Sequence, residues 1–166
     1  MKIGAADAAA LAAVLYRDLE AVTQIEGHAA GLPETGLTRE QLDSLGFALH
    51  NLYNALENSF TQISLTFENH IKDQGRWHRE LLEKMLLEVP PLRPRVMPLE
   101  NRVLLADLLG FRHVFRHAYE FTLDEAKTVD LWRRWRREGG RIKDSLRAFA
   151  EALTNAAVCG GEDSDD

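Results

Sequence analysis

The chain predicts an all-α bundle of four to five helices, and three observations carry that prediction. Apolar residues recur by threes and fours, most clearly at Leu45, Leu49, Leu52, Leu56, Phe60, Ile63 and Phe67, the spacing that keeps side chains on one helix face. No pair of segments reads as a strand hairpin, which would need alternating polarity around a tight turn. At 166 residues, one domain buries a sizeable core without disulfides or metals.

The elements follow in order. Ala5 to Ala29 is rich in Ala and Leu and reads as the first helix. Gly31-Leu32-Pro33-Glu34-Thr35-Gly36 is a turn, punctuated by Gly and Pro. Thr38 is an N-cap, and Gln41 three residues on completes a capping box. The second helix is long, running to about Ile71 before Gly75 breaks it. Trp77 to Glu88 forms a shorter helix, and Pro90, Pro91, Pro94 and Pro98 make a stiff extended connector. The helical period returns after Glu100 with Leu104, Leu108, Phe111 and Phe115. Asp124 caps the last helix, which runs to about Ala157 and is weakened, with a kink expected, at Gly139-Gly140. Residues 1–157 are thus one helical domain, and 158–166 an acidic tail expected to be disordered.

Composition narrows the class. A hydrophobic fraction of 45% beside 28% charged residues places the chain among ordinary globular proteins. A single cysteine, Cys159, excludes an intrachain disulfide and fits a reducing compartment. No apolar run approaches the ~20 residues of a membrane span, and the segment Ala5 to Val14 carries Asp7 with no basic cluster before it, unlike a signal peptide. A soluble, cytoplasmic protein without membrane contact is expected. The net charge of −6 argues against a generic nucleic-acid coat. Charge is unevenly spread, however, with Arg concentrated between Trp132 and Arg147 and acid in the final residues.

The chemistry concentrates in Arg112-His113-Val114-Phe115-Arg116-His117-Ala118-Tyr119, an RxxxxHxY octapeptide. Arg supplies a permanently charged fork that fits phosphate oxygens. His takes and gives a proton near neutral pH, and Tyr adds a phenol and an aromatic face. The three together suit phosphodiester chemistry, which needs proton transfer and positive charge on the phosphoryl group. On an unbroken helix, however, five residues at ~100° each leave Arg112 and His117 roughly 140° apart. Either the helix ends between them or two copies of the motif meet across a dimer. Tyr119, seven residues after Arg112, returns to the Arg112 face.

The RxxxxHxY spacing resembles the signature of HEPN-superfamily ribonucleases, and of the HepT-like toxins of two-gene toxin–antitoxin systems in particular. Phe111 to Phe121, the segment Leu49-His50-Asn51-Leu52-Tyr53-Asn54-Ala55-Leu56-Glu57 and the segment Trp77-His78-Arg79-Glu80-Leu81-Leu82 are similar to that group too, so the resemblance covers most of residues 10 to 155. It implies a homodimer with both motifs lining one cleft, and an RNA substrate cut without metal or cofactor. Arg112 is then the phosphate clamp, His117 the proton-transfer group, and His113 and Arg116 second-rank contributors. It also implies a nucleotidyltransferase antitoxin of the two-gene, type VII kind, which silences the toxin by transferring AMP onto Tyr119. Anionic bulk there would block the phosphate site.

Other polar residues divide more evenly. Asn51, Asn54 and Asn58 lie close to one face of the second helix, and His50, Tyr53 and Glu57 to another. They form either a solvated or dimer-facing stripe, or the polar brace for the motif that the resemblance suggests, with Asn51 the favoured candidate. His113 and His117 have metal-ligand spacing, but no Asp, Glu or Cys nearby completes a set, so no metal is expected. His28, His70 and His78 are isolated and expected at the surface. Arg133-Arg134 and Arg136-Arg137, interleaved with Trp132 and Trp135, fit inward-packed tryptophans covered by arginine stems better than an RNA-stacking surface. The alternative to a nuclease is a non-catalytic HEPN nucleotide-binding or adaptor module.

Overall fold

The computed structural model describes residues 1, 3–68, 77–117 and 122–161, with side chains described at all of these except 117 and 159–161. The described residues form five α-helices: α1 (Ala5–Ala29), α2 (Arg39–Glu68), α3 (Trp77–Met85), α4 (Arg102–His117) and α5 (Glu125–Gly161), with a 3-10 turn at Leu99–Asn101 leading into α4. This is the all-α bundle the sequence predicts.

Amphipathic spacing decides what packs where. On α1, Leu11, Leu15, Leu19 and Val22 are buried, and on α2 the whole predicted stripe from Leu45 to Phe67 is buried. On α5 the inward face is Trp132, Trp135, Ile142, Leu146, Phe149 and Leu153. Helix α1 packs against both α2 and α5, while α4 lies on α2 through Leu104, Leu105 and Leu108. Each such side chain, fully buried, contributes about 1.5–3 kcal/mol of transfer free energy.

Local chemistry sets the helix starts. The Gln41 amide N–H donates to Thr38 Oγ1 at 3.3 Å and the Thr38 N–H to Gln41 Oε1 at 2.9 Å, completing the capping box. At the start of α5, Asp124 Oδ1 accepts from the Lys127 N–H at 3.1 Å.

The structure departs from expectation between α3 and α4. Helix α3 stops at Met85, three residues short of Glu88. The proline-rich segment is a folded turn instead of an extended connector: Val89 and Arg93 form an isolated antiparallel bridge around a cis Pro90–Pro91 bond. The cause is Arg93, only 2% exposed. Its guanidinium pairs with Glu68 of α2 and donates to the carbonyls of Lys84 at 2.9 Å, Leu87 at 3.1 Å and Pro94 at 3.2 Å. A buried cation must satisfy its donors, and the turn wraps to supply the acceptors. Burial by itself raises the Glu68 pKa, but hydrogen bonds from Lys84 and Arg93 outweigh it and hold the carboxyl below its ordinary value.

Helix α5 is continuous through Gly139-Gly140 and extends to Gly161, past the expected end at Ala157, since Ala156, Ala157 and Val158 add no breaker. Residues 162–166 of the predicted tail, and Ile71 and Gly75 at the predicted end of the second helix, lie outside the described residues. Gly139 accommodates a ring: a Cβ there would stand 2.6 Å from the Trp135 side chain. Trp132 and Trp135 are buried, and Trp135 Nε1 donates to Glu26 Oε1 at 2.8 Å. Their arginine neighbours spread over the surface, Arg133 and Arg136 onto Glu34 and Arg134 onto Asp107. The inward-packed reading of the tryptophans therefore holds. No helix among the described residues is long and apolar enough to cross a membrane.

The two adjacent glycines give opposite expectations. Nothing lies within 4 Å of a Cβ at Gly140, so Gly140→Ala should stabilise the protein by about 1 kcal/mol through helix propensity. Gly139→Ala gains the same propensity but overpacks a buried indole, and should destabilise it by about 1–2 kcal/mol net. Urea unfolding of the two variants checks the difference in sign.

Candidate functional site

Helix α4 lies close to α2 because Gly46 has no side chain. A Cβ at Gly46 would meet the Phe115 ring at 2.8 Å and Leu123 at 2.5 Å. Phe115 stacks against Phe111 with centroids 5.9 Å apart and tilts against the His50 ring at 5.2 Å. These contacts turn the buried flank of α4 onto the polar flank of α2 and bring Arg112 inward.

Arg112 is held from two sides. Its Nε donates to Asn54 Oδ1 at 2.6 Å, and Nη2 lies 2.9 Å from Glu57 Oε2. The other Glu57 oxygen, Oε1, meets His78 Nδ1 of α3 at 2.5 Å. Side-chain exposure is 11% for Arg112, 7% for Glu57 and 28% for His78. The carboxylate is therefore buried, while the imidazole reaches solvent. The Trp77 ring lies against His78, centroids 4.0 Å apart.

The polar chain continues through Asn54. An arginine Nε only donates, so the amide oxygen of Asn54 faces Arg112 and its nitrogen faces His50. Asn54 Nδ2 lies 2.9 Å from His50 Nε2, which must then accept, leaving any proton on Nδ1. Burial, followed by the charges of Arg112 and Arg116, lowers the His50 pKa, in keeping with a neutral ring. His50 Nδ1 is buried without a hydrogen-bond partner. Tyr53 is fully buried, and burial, followed by the Glu57 charge, pushes its phenol pKa up, so its hydroxyl stays protonated.

An open groove of about 1230 Å³ runs between α3 and α4. His78 and Lys84 line it from α3, and Leu109, Arg112, His113 and Val114 from α4. Arg112 and Val114 lie about 200° apart through Leu109 and His113 on the α4 wheel, so the groove wraps the helix. Helix α4 does not end between Arg112 and His117, which removes the first of the two alternatives drawn from the wheel. Of the octapeptide, Arg112, His113 and Val114 thus border an open groove.

The other expected residues divide. His113 and Arg116 are exposed, His113 on the groove wall. Tyr119, and the side chain of His117, lie outside the described residues. The brace for Arg112 is Asn54 with Glu57, and Asn51 is corrected to a neighbour. His50, Asn54 and Glu57 are spaced by four and three residues along one flank of α2, and Asn51 lies roughly 100° or more round the helix from His50 and Glu57. His78, expected as an isolated surface histidine, is tied to Glu57, and His70 lies outside the described residues. A sequence signal for Glu57 existed. It continues the spacing of Tyr53, Phe60 and Ser64, so it is a carboxylate within a core stripe, which requires a cationic partner. No such signal marks His78, whose partner is 21 residues away. Among the described residues no group of three or more His, Cys, Asp and Glu side chains is placed to hold a metal ion.

Removing Glu57 leaves a buried guanidinium uncompensated, and Glu57→Ala should cost about 3–5 kcal/mol. Arg39→Ala, which breaks an exposed pair with Asp43 at 4.0 Å, should change stability by less than about 1 kcal/mol. Denaturant titration of both variants checks the contrast.

A family model described as HepT-like protein matches residues 44–153. The matched span is well over half of the chain and includes α3, α4 and the three α2 residues of the polar chain. No curated protein and no solved structure matches the chain. The match joins the groove, the octapeptide and the helical bundle in one assignment: the chain belongs to the HepT-like protein family.

Proposed function

We propose that this protein is a HEPN-type endoribonuclease toxin that cleaves RNA without a metal ion, as a homodimer. The observation that carries the reading is the anchoring of Arg112. Asn54 and Glu57 hold its guanidinium on the wall of an open groove, and His117 follows five residues later on the same helix. The two contacts use only part of the fork of N–H donors, so the group is oriented in advance and still has donors for phosphate oxygens. Such preorganised charge stabilises a transition-state phosphoryl group without reorganisation during the reaction.

In this reading Arg112 neutralises the phosphate, His117 transfers the proton, and His113 and Arg116 add positive potential along the groove. The second copy joins through a self-complementary surface, as a two-fold dimer requires, and brings its own motif to the shared cleft. Family membership supports the pairing with a nucleotidyltransferase antitoxin. That partner transfers AMP onto Tyr119, seven residues from Arg112, and the added phosphate occupies the guanidinium and blocks the groove.

Purified wild-type protein, free of AMP on Tyr119, should cleave total RNA in the presence of EDTA. His117→Ala, as a folded dimer, should lose activity by about 10²–10⁴-fold, the usual contribution of a proton-transfer group. Equal inactivity of both folded dimers overturns the nuclease reading in favour of a non-catalytic adaptor. Separately, Tyr119→Phe should escape silencing when the antitoxin and ATP are added. A Tyr119→Phe protein that is still fully silenced overturns the modification.

A further inference from the structure

The groove has a second wall, and its histidine is held in the manner of a general base. His78 stands on α3, facing the α4 wall that carries Arg112. Its Nδ1 lies 2.5 Å from Glu57 Oε1, while the other oxygen of that carboxylate holds Arg112 Nη2 at 2.9 Å. One buried carboxylate thus fixes both a phosphate-binding guanidinium and an imidazole side by side. Trp77 packs on the face of the imidazole, so the ring is restrained in plane as well as in direction. Nδ1 faces the Glu57 carboxylate, so in the neutral ring the lone pair lies on Nε2, and the side chain is 28% exposed on the groove. A carboxylate that fixes the tautomer and orientation of an imidazole base is a recurrent catalytic arrangement.

Building on the nuclease reading above, we infer that His78 is a catalytic residue of the groove: held on Nδ1 by Glu57, it takes the 2′-hydroxyl proton of the RNA on Nε2 beside the phosphate bound by Arg112. The step balances as follows. The 2′-oxygen gives its proton to Nε2 and its electron pair to phosphorus. The bond from phosphorus to the 5′-oxygen breaks, and that oxygen takes a proton from the His117 imidazolium. The products are a 2′,3′-cyclic phosphate and a free 5′-hydroxyl, and proton exchange with water resets both histidines. The base in this step comes from α3, across the groove from the α4 helix that carries Arg112 and His117 in its sequence.

The test compares RNA cleavage in EDTA by wild type, His117→Ala, His78→Asn and His78→Ala, each checked for folding by circular dichroism and thermal unfolding. The Asn amide nitrogen stands where Nδ1 does and still donates to Glu57, but it has no lone pair to accept a proton. His78→Asn should therefore fold and lose about 10²–10⁴-fold in cleavage rate, and free imidazole should restore part of the rate of His78→Ala. A merely structural histidine predicts the reverse, full activity in His78→Asn and no response to imidazole. If wild type cleaves and His117→Ala does not, a folded His78→Asn at the wild-type rate overturns the role of His78 alone. An inactive wild type, folded and free of AMP, overturns the nuclease reading and this inference together.

Discussion

The site depends on where the Glu57 carboxylate sits. It is buried against the α2 core stripe, with Leu56 and Phe60 beside it in sequence and in the interior, and a carboxylate in such surroundings is costly unless it is paired and hydrogen-bonded. Arg112 from α4 and His78 from α3 supply the partners, one on each oxygen. Three helices that pack mainly through apolar faces are thereby locked in one rotational setting about each other. Apolar burial alone would tolerate small rotations of α4 on α2. A bidentate demand from one buried oxygen pair does not, because either missing partner leaves uncompensated charge.

The same physics recurs through the bundle. Glu26 of α1 accepts from Trp135 Nε1 at 2.8 Å and pairs with Lys143 at 2.5 Å, fixing α1 on α5. Asp18 of α1 accepts from Asn58 at 2.8 Å and Ser59 at 2.9 Å, fixing α1 on α2. Glu68 gathers Lys84 and Arg93 and fixes the turn after α3. Each carboxylate sits at a seam between elements. Hydrophobic burial supplies the driving force for the bundle, and these directional ties select one register among the many that burial permits.

The groove follows from that register. Its α4 wall is polar on one flank and nearly bare at Gly110, where nothing lies within 4 Å of a Cβ position. Its α3 wall carries His78 and Lys84, the latter joined to Glu68 at 2.9 Å. The lining is mixed: Arg112, His113 and the aliphatic Leu109 and Val114 come from α4, and His78, Lys84, Glu80 and Glu83 from α3. Of the two acids on the α3 wall, Glu83 is paired with Arg102, while Glu34 and Asp107 are engaged by Arg133, Arg134 and Arg136 of α5.

Periodicity alone determined the helices and their inward faces, because side chains three and four apart must share a face whatever the surroundings. Capping chemistry was equally local, so Thr38, Gln41 and Asp124 were legible as helix starts. The octapeptide was legible as a cluster of Arg, His and Tyr, since these side chains carry their chemistry with them. What the sequence left open depended on contacts between distant residues. The proline segment curled because Arg93 found its carboxylate 25 residues earlier. Gly139 marked the space for an indole in place of a kink. Asn54 in place of Asn51 braced Arg112, and His78 joined it through Glu57, because the rotation of α4 on α2 and the placement of α3 decide which polar side chains meet. Helix faces are set by the chain's own geometry, whereas polar partners are set by packing between helices, and only the tertiary structure contains that.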